Sequence, residues 1–296
     1  MSDNKVIEEI NLDFNVPDIQ QSNEIIKNYI NNNKPFSIVR APTETIIALK
    51  YKKYNTIDAA DLRILSNFGG IYANDINLIM KYLDMYLDAT MHGDILACYN
   101  MQQHLNNQNN LSNKYNLQKI HSRSVEPWYA CLENVKPWSN DLYGKKVLII
   151  NPFVDSFQKQ IKNNFKIFKN KEIFHPQQHF EFYKCYQTSS GNHIHDNWLE
   201  TFTIMCNDIK KIDFDIALLG CGGYGLLLCD FIKRQLNKSA IYVGGGLQLM
   251  FGVMGKRWEN REDWKQIIHE NDCRFIRPSG DEIIKNNHLL EGSCYW

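Results

Sequence analysis

The stretch from Asp213 to Trp258 constrains the fold more than any other part of the chain. A continuous apolar run, Ile216 to Leu219, ends at Gly220. A glycine-rich turn follows, Gly220-Cys221-Gly222-Gly223-Tyr224-Gly225, then an apolar helix from Leu226 to Leu236, a short strand from Ala240 to Val243 and a second glycine loop, Gly244 to Gly246. An uninterrupted apolar strand is one covered on both faces, which is the habit of parallel sheets. A glycine turn that opens a helix is a ready anion site, because backbone N–H groups and the helix dipole point the same way and glycine lets a ligand approach. Gly220-x-Gly222-x-x-Gly225 has the spacing of a dinucleotide fingerprint. A dinucleotide site also needs an acid at the end of the next strand, and that strand ends Val243-Gly244-Gly245-Gly246. The turn therefore points to a phosphate-bearing ligand other than NAD(P), with a tight packing turn as the alternative.

The surrounding chain alternates in the same way. Val147–Ile150, Phe180–Tyr186 and Asp215–Leu219 read as strands, and Asp155–Lys166 and Trp198–Ile209 as helices. The fold class implied is α/β, a Rossmann-like doubly wound, mostly parallel sheet with helices on both faces. Ligands in such sheets sit beyond the carboxyl ends of the strands, so the loops 151–156, 220–225 and 244–248 are expected on one edge. The first half is less regular. Met1 to Ser22 reads as an arm and Asn23–Asn33 as a short helix. Phe36–Val39 reads as a strand ending on Arg40, followed by a turn with Thr43 as helix N-cap. Asp58–Ser66 and Asp75–Leu87 read as helices, the first stopped by Asn67-Phe68-Gly69-Gly70, and Ile95–Tyr99 as a strand. Asn100–Asn116 has few apolar residues and reads as a surface loop. Glu126-Pro127-Trp128-Tyr129 opens a short helix, 137–144 is a loop, and the chain from Arg277 to Trp296 wraps the surface.

Lysines plus arginines equal acids, at 33 each, so bulk charge draws the chain to neither nucleic acid nor membrane. No apolar run approaches the roughly 20 residues of a bilayer span. The start is acidic and polar, unlike a secretory leader. The eight cysteines lack CxxC spacing and sit in apolar surroundings, which reads as reduced thiols and a cytoplasmic setting. His175, His179, His193 and His195 could serve zinc, but no cysteine or carboxylate completes a pattern, and loop histidines are the better reading.

Two charged groups stand out. Lys256-Arg257-Trp258 follows the second glycine loop, where two cations could neutralise a diphosphate or form a solvated basic turn. Arg40 and Glu44 flank a turn at a strand end. The carboxylate could bind a divalent metal, act as a base or pair with Arg40, and from these residues alone the ion pair is preferred.

Four motifs in order, GKKVLIINPF, DFDIALLGCGGYG, YVGGGLQLMFGVMGKRW and the terminal EGSCYW, together resemble the GT-D type glycosyltransferases, in a branch found in bacterial polysaccharide clusters and some large DNA viruses. The resemblance runs from about Phe36 to Trp296. It implies a single domain over 36–296 after an arm and helix at 1–35, with an acceptor and metal side at 36–140, a nucleotide-binding portion at 141–260 and a wrap at 261–296. It implies transfer of a sugar from a nucleotide-sugar, typically a UDP-sugar, to a glycan or glycoconjugate hydroxyl, usually with Mn2+ or Mg2+ and not NAD. The setting implied is cytoplasmic (the host cytoplasm for a viral protein), with no nucleic acid partner and a homodimer left open.

The same resemblance assigns residues. Glu44 is the retained carboxylate, metal ligand or base, with Arg40 orienting it, although the family's Asp-x-Glu has lost its first acid here. Glu126 is the second carboxylate, from a matching Glu-Pro. Pro152, Phe153, Ser156 and Gln160 match the loop and helix after the first strand of the second half. Gly220, Gly222, Gly223, Tyr224, Gly244, Gly245 and Gln248 hold the nucleotide and diphosphate, and Lys256 or Arg257 offsets the leaving-group charge. The rivals are an oxidoreductase on another nucleotide and a silent sugar-nucleotide or glycan-binding module.

Overall fold

The computed structural model describes residues 16–296. The reading of the first residues as an arm lies outside this range up to residue 15. Seven strands form one sheet: β1 (Ser37–Arg40), β2 (Ile95–Cys98), β3 (Gln118–His121), β4 (Val147–Asn151), β5 (Phe180–Lys184), β6 (Ile216–Leu219) and β7 (Ser239–Tyr242). The order is β3-β2-β1-β7-β6-β4-β5, and every pairing is parallel. β1 to β3 make one flank and β4 to β7 the other, and the two flanks join along the β1–β7 seam.

The strand residues alternate between two cores. Ile38, Ile95, Val147, Ile149, Leu218 and Ile241 face one, and Val39, Leu96, Leu148, Ile150, Leu219 and Ala240 face the other. Both faces are covered by helices, so the central strands read as unbroken apolar runs. On the second face lie the helices Thr43–Tyr54, Ile76–Met91, Trp198–Ile209 and Gly225–Leu236, through residues such as Ile47, Tyr82, Met205 and Leu228. The first face carries Ile19–Asn31, Val154–Lys162 and Glu262–Asn271, through Ile26, Phe157 and Trp264.

Several elements differ from the sequence reading. The first helix starts at Ile19, four residues before Asn23, because Asp18 and Gln21 form a capping box. Its buried Asn23 then bonds the Lys136 carbonyl at 3.0 Å and the Trp138 N–H at 2.8 Å, docking the helix on the loop 136–138. Thr43 is not an N-cap: Pro42 takes that place, and no side chain caps the helix. The Asn100–Asn116 segment is largely a helix, Gln102–Tyr115. Its apolar residues are few, but Leu105, Gln108 and Leu111 share a buried face. The Gln108 amide accepts from the Tyr99 N–H at 2.6 Å and donates to the Tyr99 carbonyl at 3.0 Å. A glutamine that continues the hydrogen bonding of a strand end does the docking that apolar residues usually do.

β3 has no counterpart in the sequence reading. It is an edge strand in which only Ile120 is buried. The chain end also does more than wrap the surface. Trp296 is buried, donates its indole N–H to the Glu282 carbonyl at 2.7 Å and packs edge-on against Phe153. Among the described residues no helix is long and apolar enough to cross a membrane.

Candidate functional site

The parallel pairing places the ends of β1, β2 and β7 side by side, and Arg40 is the last residue of β1. Its guanidinium donates to the Val243 carbonyl just past β7 and lies 4.8 Å over the Tyr99 ring just past β2. Arg40 is only 9% exposed, and its Nε has no hydrogen-bond partner. A cation thus stands where a dinucleotide site would carry its ribose-binding acid. Arg40 forms part of the wall of a cavity of about 500 Å³, together with Glu44, Glu126, Arg123, Arg257, Arg261 and the glycines 222 and 244 to 246.

Glu44 lies in the first turn of the helix Thr43–Tyr54, where the dipole favours a negative charge. Its carboxylate faces the glycines from two other segments. A methyl group at Gly69 would lie 3.5 Å from Glu44 Oε1 and 3.6 Å from Gly223 Cα. Glu44 is half open to the cavity, yet packed protein on its other sides desolvates the carboxyl. That desolvation, with a smaller push from Glu291, raises its pKa, and a backbone hydrogen bond offsets part of the rise. The preferred ion pair with Arg40 is not formed. Among the described residues Arg40 has no carboxylate within 4 Å, because its donors turn to Val243 and its face to Tyr99. Arg40 therefore does not orient Glu44.

Glu126 follows the turn Ser122–Val125. Its carboxyl is also pushed up by burial, and Arg40, Arg261, Arg123 and Arg257 pull it back down in that order. It abuts the second glycine loop: a methyl group on Gly246 would meet Glu126 Oε1 at 2.5 Å. The two carboxylates differ in company. Four guanidinium groups act on Glu126, whereas Glu44 has a like charge for its electrostatic neighbour.

The loops after β4, β6 and β7 do gather at one edge. Asn151, Pro152, Phe153, Gly220, Cys221, Tyr224, Gly245 and Gln248 line a narrow cleft of about 60 Å³ beside the larger cavity. The first glycine turn is closely packed. Tyr82 OH donates to the Gly223 carbonyl and Tyr242 OH to the Gly222 carbonyl, each at 2.9 Å. A methyl group on Gly225 would meet the Tyr242 ring at 2.3 Å. Of this turn, Gly222 reaches the large cavity, with φ +57°. Gly244, at φ +74°, lies against the Arg40 guanidinium. Both conformations favour glycine.

Four of the expected ligand-binding residues are brought to neither space or are committed to scaffold. Ser156 bonds Glu282 through its N–H and hydroxyl. Gln160 donates to the carbonyls of Gly252 and Arg274. Gly223 is enclosed by Ile71, Gly69 and Tyr82. Lys256 is exposed and faces outward, so Arg257 alone of that pair lines the cavity. Gln248 and Tyr224 line the narrow cleft, but their polar groups already serve Val253 and Tyr295, and Gly70, respectively.

Other cavity residues carried no sequence signal: Tyr99, Arg123, Tyr129 and Arg261 lie on elements whose approach to one another only the fold reveals. Glu291 and Tyr295 were within reach, since they belong to the EGSCYW ending. Arg257 pairs with Glu291, donates to Tyr295 OH at 3.0 Å and lies 4.5 Å over its ring.

Among the described residues no three of His, Cys, Asp or Glu are grouped to hold a metal ion. Glu44, the expected metal ligand, is thus not part of a three-donor cluster among the described residues. The histidines are dispersed: His193 stacks on Tyr72 and His175 on Tyr143, while His195 bonds Thr201. All eight cysteines are free and buried.

No curated protein and no solved structure matches this chain. The family model described as the GT-D fold-like domain matches residues 18–250, a span that takes in all seven strands, Arg40, Glu44, Glu126 and both glycine loops, and on that match the chain belongs to the GT-D-like family.

Proposed function

We propose that this protein is a glycosyltransferase that moves a sugar from a nucleotide-sugar, a UDP-sugar in the first instance, to a hydroxyl of a glycan acceptor. The observation that carries this reading is the convergence in one cavity of two glycine loops, four arginines and three carboxylates, Glu44, Glu126 and Glu291, at the carboxyl ends of β1, β2 and β7. Sugar transfer needs the departing diphosphate neutralised, the acceptor hydroxyl deprotonated and the two substrates aligned. Each need has a counterpart in this cavity.

Glu44 is the base. Its raised pKa suits proton abstraction nearer neutrality than an ordinary carboxylate allows, and no arginine stabilises its charge. In an inverting displacement Glu44 takes the acceptor proton as the acceptor oxygen attacks the sugar's anomeric carbon, and the bond to the diphosphate breaks. Arg257 and Arg40 face the departing negative charge, and Glu126 orders the guanidinium groups around itself. Tyr99, Tyr129 and Tyr295 offer faces to sugar or base rings.

The test is release of nucleoside diphosphate from UDP-, GDP- and dTDP-sugars, with and without a panel of glycans, by wild type and Glu44→Gln. The proposal expects turnover of one donor class and a loss of at least 100-fold in Glu44→Gln, with donor binding retained. Donor binding without hydrolysis or transfer, unaltered by Glu44→Gln, would make the protein a binding module instead. Binding of NAD(P)H but not of UDP would favour the oxidoreductase.

A further inference from the structure

The four cavity arginines are not equivalent. Arg257 is paired with Glu291, and Arg261 with Asp263. Among the described residues Arg40 and Arg123 have no carboxylate within 4 Å. Arg123 lies 5.2 Å over the Tyr129 ring and lines the cavity. Arg40 is nine-tenths buried, and its Nε points at no acceptor. A buried guanidinium without a carboxylate partner is costly, and because Arg40 lines the cavity an anion there would meet its charge. The neighbouring Glu126 does not meet it, since it comes no nearer than 4 Å. Among the described residues no three of His, Cys, Asp or Glu are grouped here to hold a metal ion.

We infer that Arg40 and Arg123, widened by Arg257 and Arg261, form an anion site that holds the diphosphate of a nucleoside diphosphate by guanidinium contacts, without a divalent ion. The planar fork of arginine matches phosphate oxygens in pairs, and two unpaired guanidinium groups balance the two negative charges of a nucleotide-sugar's diphosphate. The site lies against Gly244, where a side chain would press on the Arg40 guanidinium. This inference rests on the nucleotide-sugar reading of the same cavity and adds how the donor's charge is met.

The test is calorimetric titration of the whole chain with UDP, inorganic pyrophosphate and uridine, each in EDTA and in Mn2+. UDP is expected to bind in EDTA with a Kd within about threefold of that in Mn2+. Pyrophosphate should compete with UDP, and uridine should bind at least tenfold more weakly. Arg123→Ala should weaken UDP and pyrophosphate by roughly tenfold or more at unchanged Tm, since the side chain is half exposed. Arg40→Lys keeps the charge but loses the fork and should weaken both as well. Its Tm separates that loss from misfolding, and Arg123→Ala carries the test if Arg40→Lys does not fold. UDP binding only with Mn2+, an unchanged Kd in Arg123→Ala, or uridine binding as well as UDP would each overturn this inference and leave the transferase reading standing. If no nucleoside diphosphate binds under either condition, both fall.

Discussion

At the scale of single residues, Glu44 and Arg40 carry the account, and they act apart. A carboxylate desolvated in the folded state binds its proton at higher pH than it does in the unfolded chain. Between those two values the folded state holds more protons, so stability falls as pH rises through that window, and the full cost is present above it. Glu44→Gln removes that cost. At neutral pH it is expected to raise Tm by about a degree, a small gain because the carboxylate is half open to the cavity, while it lowers transfer at least 100-fold. The same shift places the acid limb of kcat/KM above the ordinary carboxylate range, and the limb should vanish in the residual activity of Glu44→Gln. A Tm that drops in this variant, or an acid limb that persists, would remove Glu44 from the role of base.

Residue identities near this site were partly legible. Arg40 and Glu44 announced themselves at a strand end. Their ion pair was the economical reading of two opposite charges four residues apart, and it failed because β7 offers Arg40 a carbonyl and β2 offers it a ring. Nothing local in the sequence records either neighbour. Arg123 and Arg261 could not be singled out for the same reason.

Among the elements, the two glycine loops share composition but not work. The first turn is clamped by Tyr82 and Tyr242 and serves mainly as packing, with Gly222 open to the cavity. The second loop adjoins Arg40, Glu126 and Tyr295 through its three glycines. Gly246 has an ordinary helical φ of −60° as the cap residue of Leu247–Met250, so its need for glycine comes from the Glu126 carboxylate and the Trp128 ring, which a methyl group would meet at 2.5 Å and 2.9 Å. Gly246→Ala is therefore expected to fold with a Tm lowered by several degrees, because the end of the Glu126 side chain can swing away but the buried Trp128 ring must be pushed aside. It should lower kcat/KM for the donor roughly tenfold or more, because that movement disturbs the arginines around Glu126. Steady-state kinetics beside a thermal melt decides it, and full kcat/KM in Gly246→Ala would dissociate Glu126 from the reaction.

Helices and strands with strong periodicity, such as Trp198–Ile209, could be read from the sequence to the residue. Gln102–Tyr115 could not, since Gln108 performs its docking through hydrogen bonds rather than buried apolar area. β3 could not either, because an edge strand with one buried residue leaves no alternation to detect.

For the molecule as a whole, the sheet explains why the site is split in sequence. The β1–β7 seam joins a strand near the start of the chain to one near its end, and the cavity opens where both strands finish. The doubly wound class followed from the second half alone, whereas the placing of the first three strands on the far side of β7 required the structure. The chain's last residues then close the cavity, with Tyr295 against Gly245 and Arg257, and Trp296 anchored on Phe153.

Hydrogen–deuterium exchange with and without a UDP-sugar reads the central claim most directly, because it shows where a donor lands without presuming turnover. Protection is expected at 40–44, 243–247 and 291–296, with a smaller effect at 220–225. Absence of protection there, or protection confined to the separate cavity lined by Phe165, Phe174 and Phe251, would contradict a donor site at the carboxyl ends of β1 and β7.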